Sequence, residues 1–294
     1  MARRAVRFAA DKGRSQRGIT VKRLCALCGM TKQNFYKGER QRRRREIDEQ
    51  LVVDLVQRER HMHPRIGGRK LLHLIRSELE KAEVFIGRNR LFELLGEHDL
   101  LVPRKRTGVR TTDSRHRFRV YKNELKNAVI EEPHRALVAD LTYLRTEQGF
   151  VYLALVMDVH SRKIVGFDVN NTLEAVGCMR ALQMALEQLP QDASPIHHSD
   201  RGTQYCCAAY VEMLQERGIV ISMTEENHCY ENAMAERLNG VLKQEYGLSA
   251  TLADIEEAKS LVGEAVMLYN EHRPHLSLNF ATPEQVHQRE PLAA

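Results

Sequence analysis

No run of about eighteen apolar residues occurs in this chain of 294 residues, which excludes a membrane-spanning helix. The basic opening "MARRAVRFAADKG" lacks the apolar stretch of a secretory signal, so a cytoplasmic location is expected. A cysteine framework is also missing. Cys25 and Cys28 are spaced CxxC with no second pair nearby to complete a zinc site. Cys206 and Cys207 are adjacent, and Cys178 and Cys229 are isolated, so reduced thiols are expected.

What is present is an uneven distribution of charge. Residues 1–130 carry 33 Lys and Arg against 15 Asp and Glu, a net of +18, whereas residues 131–294 carry 12 against 24, a net of −12. Such a split suggests a polyanion-binding half joined to an acidic half with another task. Uneven charged faces on an ordinary soluble protein stay open as the plainer reading. With 43% hydrophobic residues, the length allows two or three domains with cores of their own.

Residues 20–37, "TVKRLCALCGMTKQNFYK", read as two short helices about a turn. Val21, Leu24 and Leu27 or Cys28 give an apolar stripe that would bury Cys25 and Cys28. Gly29 breaks it, and Thr31 can cap the next helix. In a helix-turn-helix, that second helix presents Lys32, Gln33, Asn34 and Lys37 to DNA. The run "RQRRRRE" (40–46) reads as a linker or helix start. Helical periodicity follows over 47–60, stopped at Pro64, then over 70–81 and 89–97. These make a second helical DNA-binding module, with Arg65, Arg69 and Lys70 in "HPRIGGRK" as candidate contacts. Residues 103–130 are basic and aperiodic, a linker whose Arg104, Lys105 and Arg106 are further candidates.

The pattern changes near residue 135. "RALVADLTYL", "FVYLALVMDV" and "KIVGFDV" are short apolar runs separated by turns, an antiparallel meander. Helices over 172–188, 203–217 and 230–246 alternate with short strands over 195–198 and 218–223. The order β-β-β-α-β-α-β-α describes a five-stranded mixed sheet covered by helices. Two further helices complete the chain.

Asp140 lies inside the first of these strands, where a charge is costly unless something ionic satisfies it. Asp200, in "HHSDRGTQY", sits just past the fourth strand, and in a sheet of this order the first and fourth strands are neighbours. On the long helix, Glu236, Asn239 and Lys243 share one face while Met234, Leu238, Val241 and Leu242 share the other. Three carboxylates with no cysteine ligand suit a hard divalent cation, and two such ions would clamp a phosphodiester. Three unrelated acids remain the alternative on spacing alone.

"ADLTYL", "DVHSRKIVGF", "HHSDRGTQY", "ENAMAERLNGVLKQE" and "YNEHRPH" together resemble the catalytic domain of DDE transposases of the retroviral-integrase superfamily. The resemblance is closest to bacterial insertion-sequence transposases of the insertion sequence three family, as the product of their second frame. It covers roughly residues 130–290, and "HPRIGGRKL" extends it upstream. Glu236 follows Asp200 by 36 positions, and Lys243 follows Glu236 by seven, both as in that family.

The resemblance implies an RNase H-like α/β catalytic core preceded by all-α helix-turn-helix-type modules. The corresponding divisions are 1–45, 46–102, a linker 103–130, a core 131–250 and a helical extension 251–294. Asp140, Asp200 and Glu236 would be the catalytic, metal-binding triad for two Mg²⁺ ions, with Mn²⁺ as substitute. Lys243 would contact the terminal DNA, with Asn239 and Arg237 beside it. The implied reaction frees a 3′-hydroxyl at the element end, and that hydroxyl then attacks another strand without a covalent enzyme intermediate. The implied partners are double-stranded DNA (terminal inverted repeats and target), further copies of the chain on DNA, and an upstream-frame segment. The implied place of action is the bacterial nucleoid.

Asp158 is expected to be structural, and His197 with His198 to shape the approach to Asp200. Two features depart from the family. The usual Trp before the first Asp is absent, with Leu137 and Val138 there instead, and no heptad zipper is visible. A metal-dependent nuclease without strand transfer and a DNA-binding regulatory product of the element are the alternatives.

Overall fold

Strand β1 (Ala136–Thr146) forms because its side chains alternate between two apolar surfaces. Ala136 and Val138 enter one core, and Leu137 and Ala139 enter the other. The computed structural model describes residues 20–103, 119–126, 128–225 and 233–289, so Arg104, Lys105, Arg106, Cys229 and the expected helix start at 230–232 lie outside the described residues. The chain divides into two units. One takes in the described part of Met1–Gln57 with Ile75–Asp99, the other Arg58–Leu74 with the described part of Leu100–Ala294.

In the first unit, α1 (Val21–Leu27) is followed by a turn in which Gly29 adopts φ +63°. Thr31 Oγ1 then accepts from the Asn34 amide at 3.2 Å, the cap expected of it. The stripe expected on α1 is only partly realised. Cys25 is buried, but Leu27 is 76% exposed and Cys28 is exposed. The helix is two turns long, so Leu27 falls opposite Cys25 and Cys28 lies past its end.

The next helix, α2, is a single element of 31 residues, Lys32–Met62. The arginine run 40–46 is therefore helix interior rather than linker. No proline interrupts it, and pairs one turn apart such as Arg42–Glu39 and Gln50–Asp54 brace the exposed surface. Val52, Val53 and Val56 of α2 are buried, as are Ile75 and Leu79 of α3 (Gly68–Lys81) and Leu91, Leu94 and Leu95 of α4 (Arg88–Glu97).

In the second unit, β2 (Gly149–Asp158) pairs antiparallel with β1 and with β3 (Ile164–Asn170). On the other side of β1, β4 (Ile196–Ser199) and β5 (Val220–Met223) run parallel to it, giving the order β3-β2-β1-β4-β5. This is the expected mixed sheet of RNase H-like topology, with one addition. A sixth strand of two residues, β6 (Thr251–Leu252), pairs with the end of β1, too short to show any sequence period.

One sheet face carries α5 (Ala175–Glu187), α6 (Thr203–Cys206) and α7 (Ala208–Glu216). The expected helix 203–217 is split because Cys207 is extended, with ψ 149°. Gly166 lets α5 lie directly on β3, since a Cβ there would stand 2.0 Å from the Ala181 carbonyl oxygen. The other face carries α8 (Ala233–Glu245) and α9 (Ile255–Met267). A π turn (Leu268–His272) and α10 (Pro283–His287) follow.

Asp158 is structural, as expected. Fully buried at the end of β2, it accepts from the His134 amide at 2.8 Å and from the Ser161 amide and hydroxyl at 2.7 Å.

Candidate active site

The parallel register of β1 and β4 sets the positions of the two aspartates. Val138 lies opposite His198, so Asp140 and Asp200 each come two residues beyond the same paired position. Strand β4 has ended at Ser199, and Asp200 turns out of the sheet with its Oδ1 accepting from the Gly202 amide at 2.9 Å. Arg201 anchors that turn by donating to the Thr224 carbonyl at 2.6 Å. Any side chain at 202 would crowd the acid, because a Cβ there would stand 3.0 Å from Asp200 Oδ1.

Helix α8 lays a polar row along β1. Asn239 Nδ2 donates to Asp140 Oδ2 at 2.5 Å, and one turn on Lys243 Nζ donates to Thr142 Oγ1 at 2.6 Å. The Lys243 ammonium also lies 4.6 Å from the centre of the Tyr143 ring. Glu236, one turn before Asn239, is exposed in the first turn of the helix.

The Asp140 carboxyl is pushed up to about 7, first by burial and next by the negative charge of Asp200. The Asn239 hydrogen bond works the other way, and Glu236 adds a smaller upward push. The three acids therefore share one electrostatic neighbourhood. Among the described residues, no three His, Cys, Asp or Glu side chains are close enough together to hold a metal ion as they stand. The donor set itself, all carboxylate oxygen with its central member strained by like charge, suits a hard divalent cation.

The remaining candidates fall into distinct settings. Lys32, Gln33, Asn34 and Lys37 are exposed on α2, as are Arg65 and Arg69 on and beside α3 and Arg237 on α8. Lys70 is not free for DNA, because its ammonium is nearly buried and lies 3.6 Å from Glu245. Burial lowers its pKa to about 8. Asn239 is likewise buried and engaged by Asp140.

His197 and His198 are core residues rather than an approach to Asp200. His197 Nε2 contacts the Tyr210 hydroxyl at 3.0 Å, and His198 Nδ1 contacts Ser222 Oγ at 2.8 Å. Their place inside a four-residue central strand leaves both side chains between packed layers. Sequence reasoning missed Thr142 and Tyr143 as partners of Lys243. The available signal for Thr142 was its spacing of two from Asp140, which puts both on one face of the strand.

Two Integrase core domain families match the chain, over residues 131–229 and 217–283. The Insertion element IS600 uncharacterized 31 kDa protein of Shigella sonnei is 32% identical over 273 residues, covering 90% of this chain and 99% of the relative. The Transposase for insertion sequence element IS629, also of Shigella sonnei, is 33% identical over 79% of each chain. Transposase InsF for insertion sequence IS3A of Escherichia coli (strain K12) is 34% identical over 52% of this chain and 54% of the relative.

Among solved structures, the HTLV-2 integrase catalytic core domain in complex with magnesium matches with a TM-score of 0.43 and 16% identity, covering 53% of this chain and 98% of that one. A simian T-cell lymphotropic virus intasome chain matches with a TM-score of 0.48 and 15% identity, covering 78% of this chain and 73% of that one. By its integrase-core matches and its relatives along most of its length, this chain belongs to the DDE transposases of bacterial insertion sequences, polynucleotidyl transferases of the integrase superfamily.

Proposed function

We propose that Asp140, Asp200 and Glu236 are the catalytic carboxylates of this transposase and hold two Mg²⁺ ions, replaceable by Mn²⁺, on the DNA of the element ends. The observation that carries the assignment is the equivalent placement of Asp140 and Asp200 on adjacent parallel strands beneath the polar row of α8. The ions would neutralise charge on the scissile phosphate and activate the attacking oxygen. The chain supplies the frame. Strand β1 fixes Asp140, the Asp200–Gly202 turn fixes the second acid, and Glu236 comes in from the exposed first turn of α8. Asn239 orients Asp140, and Lys243 stands within reach of a backbone phosphate once it leaves Thr142.

The basic helical segments over 1–45 and 46–102, with the linker 103–130, serve to bind duplex DNA, and the core 131–250 performs the chemistry. The extension 251–294 supports it. The DNA is the terminal inverted repeat and then the target, engaged by several copies of the chain in the bacterial cytoplasm, with an upstream-frame segment as a further partner. Incubating a labelled element end with Mg²⁺ and a target duplex tests this. Wild type is expected to give both the nicked end and the joined product, and Asp200→Asn neither, with duplex binding retained. Near-normal cleavage by Asp200→Asn would overturn the triad.

A further inference from the structure

Two sequence stretches that carry the family resemblance, "HPRIGGRK" and "YNEHRPH", have no part in the chemistry above, yet they converge on one residue of the catalytic helix. Glu245 is the last residue of α8. Arg273, only 2% exposed, donates to it through two nitrogens, Nε to Oε2 at 2.7 Å and Nη2 to Oε1 at 2.9 Å. Lys70 places its ammonium 3.6 Å from the same carboxylate. The adjoining Tyr246 hydroxyl meets His63 Nδ1 at 3.3 Å.

The grip is itself held on both sides. Arg273 Nη1 donates to His275 Nε2 at 2.8 Å, which requires that nitrogen to be unprotonated. Arg60 ties the loop before Lys70 by donating to the carbonyls of Pro64 and Ile66 at 3.1 and 2.8 Å. Asn270 fastens the other stretch to β3, exchanging two 2.9 Å bonds with the Ile164 backbone.

A buried ion pair is a poor source of net stability, because desolvation offsets most of its attraction. What a two-pronged guanidinium–carboxylate contact supplies is geometry, fixing both distance and rotation. A helix of 13 residues behaves as a short rod, so rotation at Glu245 is transmitted to Glu236, about 13 Å away along the axis. Cations at the C-terminal end of α8 also suit its dipole.

We propose that Arg273 and Lys70 are positioning residues for the reaction. By gripping Glu245 they set the rotation and register of α8, and so the place where Glu236 meets Asp140 and Asp200. The inference rests on Glu236 as the third carboxylate. It assigns Lys70 and Arg273, within those stretches, a role in aligning the catalytic helix rather than in binding DNA.

The test uses the full chain and the Mg²⁺ concentration giving half-maximal cleavage of a labelled end. Arg273→Lys keeps the charge and loses the fork, and Glu245→Gln keeps the shape and loses the charge. Both are expected to raise the Mg²⁺ midpoint by roughly threefold to tenfold, at or below the low end of the effect of losing a group that directly orients a metal ligand. Duplex affinity should stay within about twofold of wild type, because the exposed cations are untouched. Leu186→Ala, in the core on the opposite sheet face, is the control for lost stability. It should lower the melting temperature without moving the midpoint.

An unmoved midpoint in folded Arg273→Lys and Glu245→Gln would overturn the inference, as would an equal movement in Leu186→Ala. Asp200→Asn separates the two levels. If it still cleaves, the triad itself is wrong. If it is inactive while the grip variants keep the wild-type midpoint, only the positioning role fails.

Discussion

The side-chain amide of Asn239 donates to the carboxylate of Asp140 at 2.5 Å, joining helix α8 to the central strand β1. The bond leaves Asn239 Oδ1 buried without a hydrogen-bond partner, so the amide is committed to one orientation by the acid it serves. It lowers the Asp140 pKa against burial and the neighbouring charge of Asp200, which raise it.

Asn239→Ala removes a side-chain hydrogen bond that favours ionised Asp140. The Asp140 pKa should then rise further, and the acidic limb of the cleavage rate against pH should move to higher pH. A profile measured with Mg²⁺ held constant checks this, and an unmoved limb would show that Asn239 does not govern the acid.

Asp140→Asn should abolish cleavage and raise stability. The folded-state pKa of about 7 lies above the usual 3.8. The folded chain therefore holds that proton more tightly, stability falls as pH rises between these values, and the full penalty stands above pH 7. Melting at pH 8 with chelator present should rise by about 2–8 °C, the scale expected for roughly 1–2 kcal/mol in a domain of this size. A lower melting temperature would mean that the carboxylate is not strained.

Lys243→Ala should reduce cleavage of element ends by about tenfold or more, as expected for a lost charge-assisted bond of roughly 1.5–3 kcal/mol. Metal-dependent attack on random DNA should fall less. Because the ammonium rests on Thr142 Oγ1 and the Tyr143 ring, Thr142→Val should make its release easier and tighten binding of ends modestly. Equal activity of wild type and Lys243→Ala on ends would return Lys243 to a purely structural role.

Salt dependence should separate exposed cations from engaged ones. Arg65→Ala and Arg69→Ala should each reduce the slope of log affinity against log salt by up to about 1, the share of one phosphate contact. Lys70→Ala should leave the slope nearly unchanged, since its ammonium faces Glu245. A comparable slope change in Lys70→Ala would place that lysine on DNA.

Acid should destabilise the fold between about pH 6.5 and 4. Burial holds His63 and His287 down to about 4, and His197 to about 3, so the unfolded chain takes up protons in this window that the folded chain refuses. Asp140 opposes the trend, but three histidines outweigh one carboxyl. The melting temperature should fall steadily across the window, and His63→Gln should flatten the fall. A flat profile in wild type would contradict the burial of these rings.

The order of elements was legible because it depends on local patterns. Short apolar runs separated by turns marked β1, β2 and β3, Pro64 marked the end of α2, and Thr31 marked its start. Asp140 stood out because a charge inside a strand pattern is costly wherever it occurs, Asp200 because it follows the strand expected beside that one, and Glu236 because it shares a helix face with Asn239 and Lys243. The arginine run in α2 misled because charge signals exposure without distinguishing an exposed helix from a linker.

Tertiary structure alone decided what each polar group faces. "HHSD" does not reveal that both histidines are buried between layers, since burial depends on α7 and β5 packing around a strand of four residues. Lys70 looks like any basic surface residue until Glu245, 175 positions later, is placed against it. Arg273 and Glu245 are 28 residues apart, and their pairing depends on how the chain returns from α9 to the end of α8. Side-chain type and local spacing are properties of the chain itself. Desolvation and the meeting of distant charges arise only when the sheet register and helix packing bring those segments together.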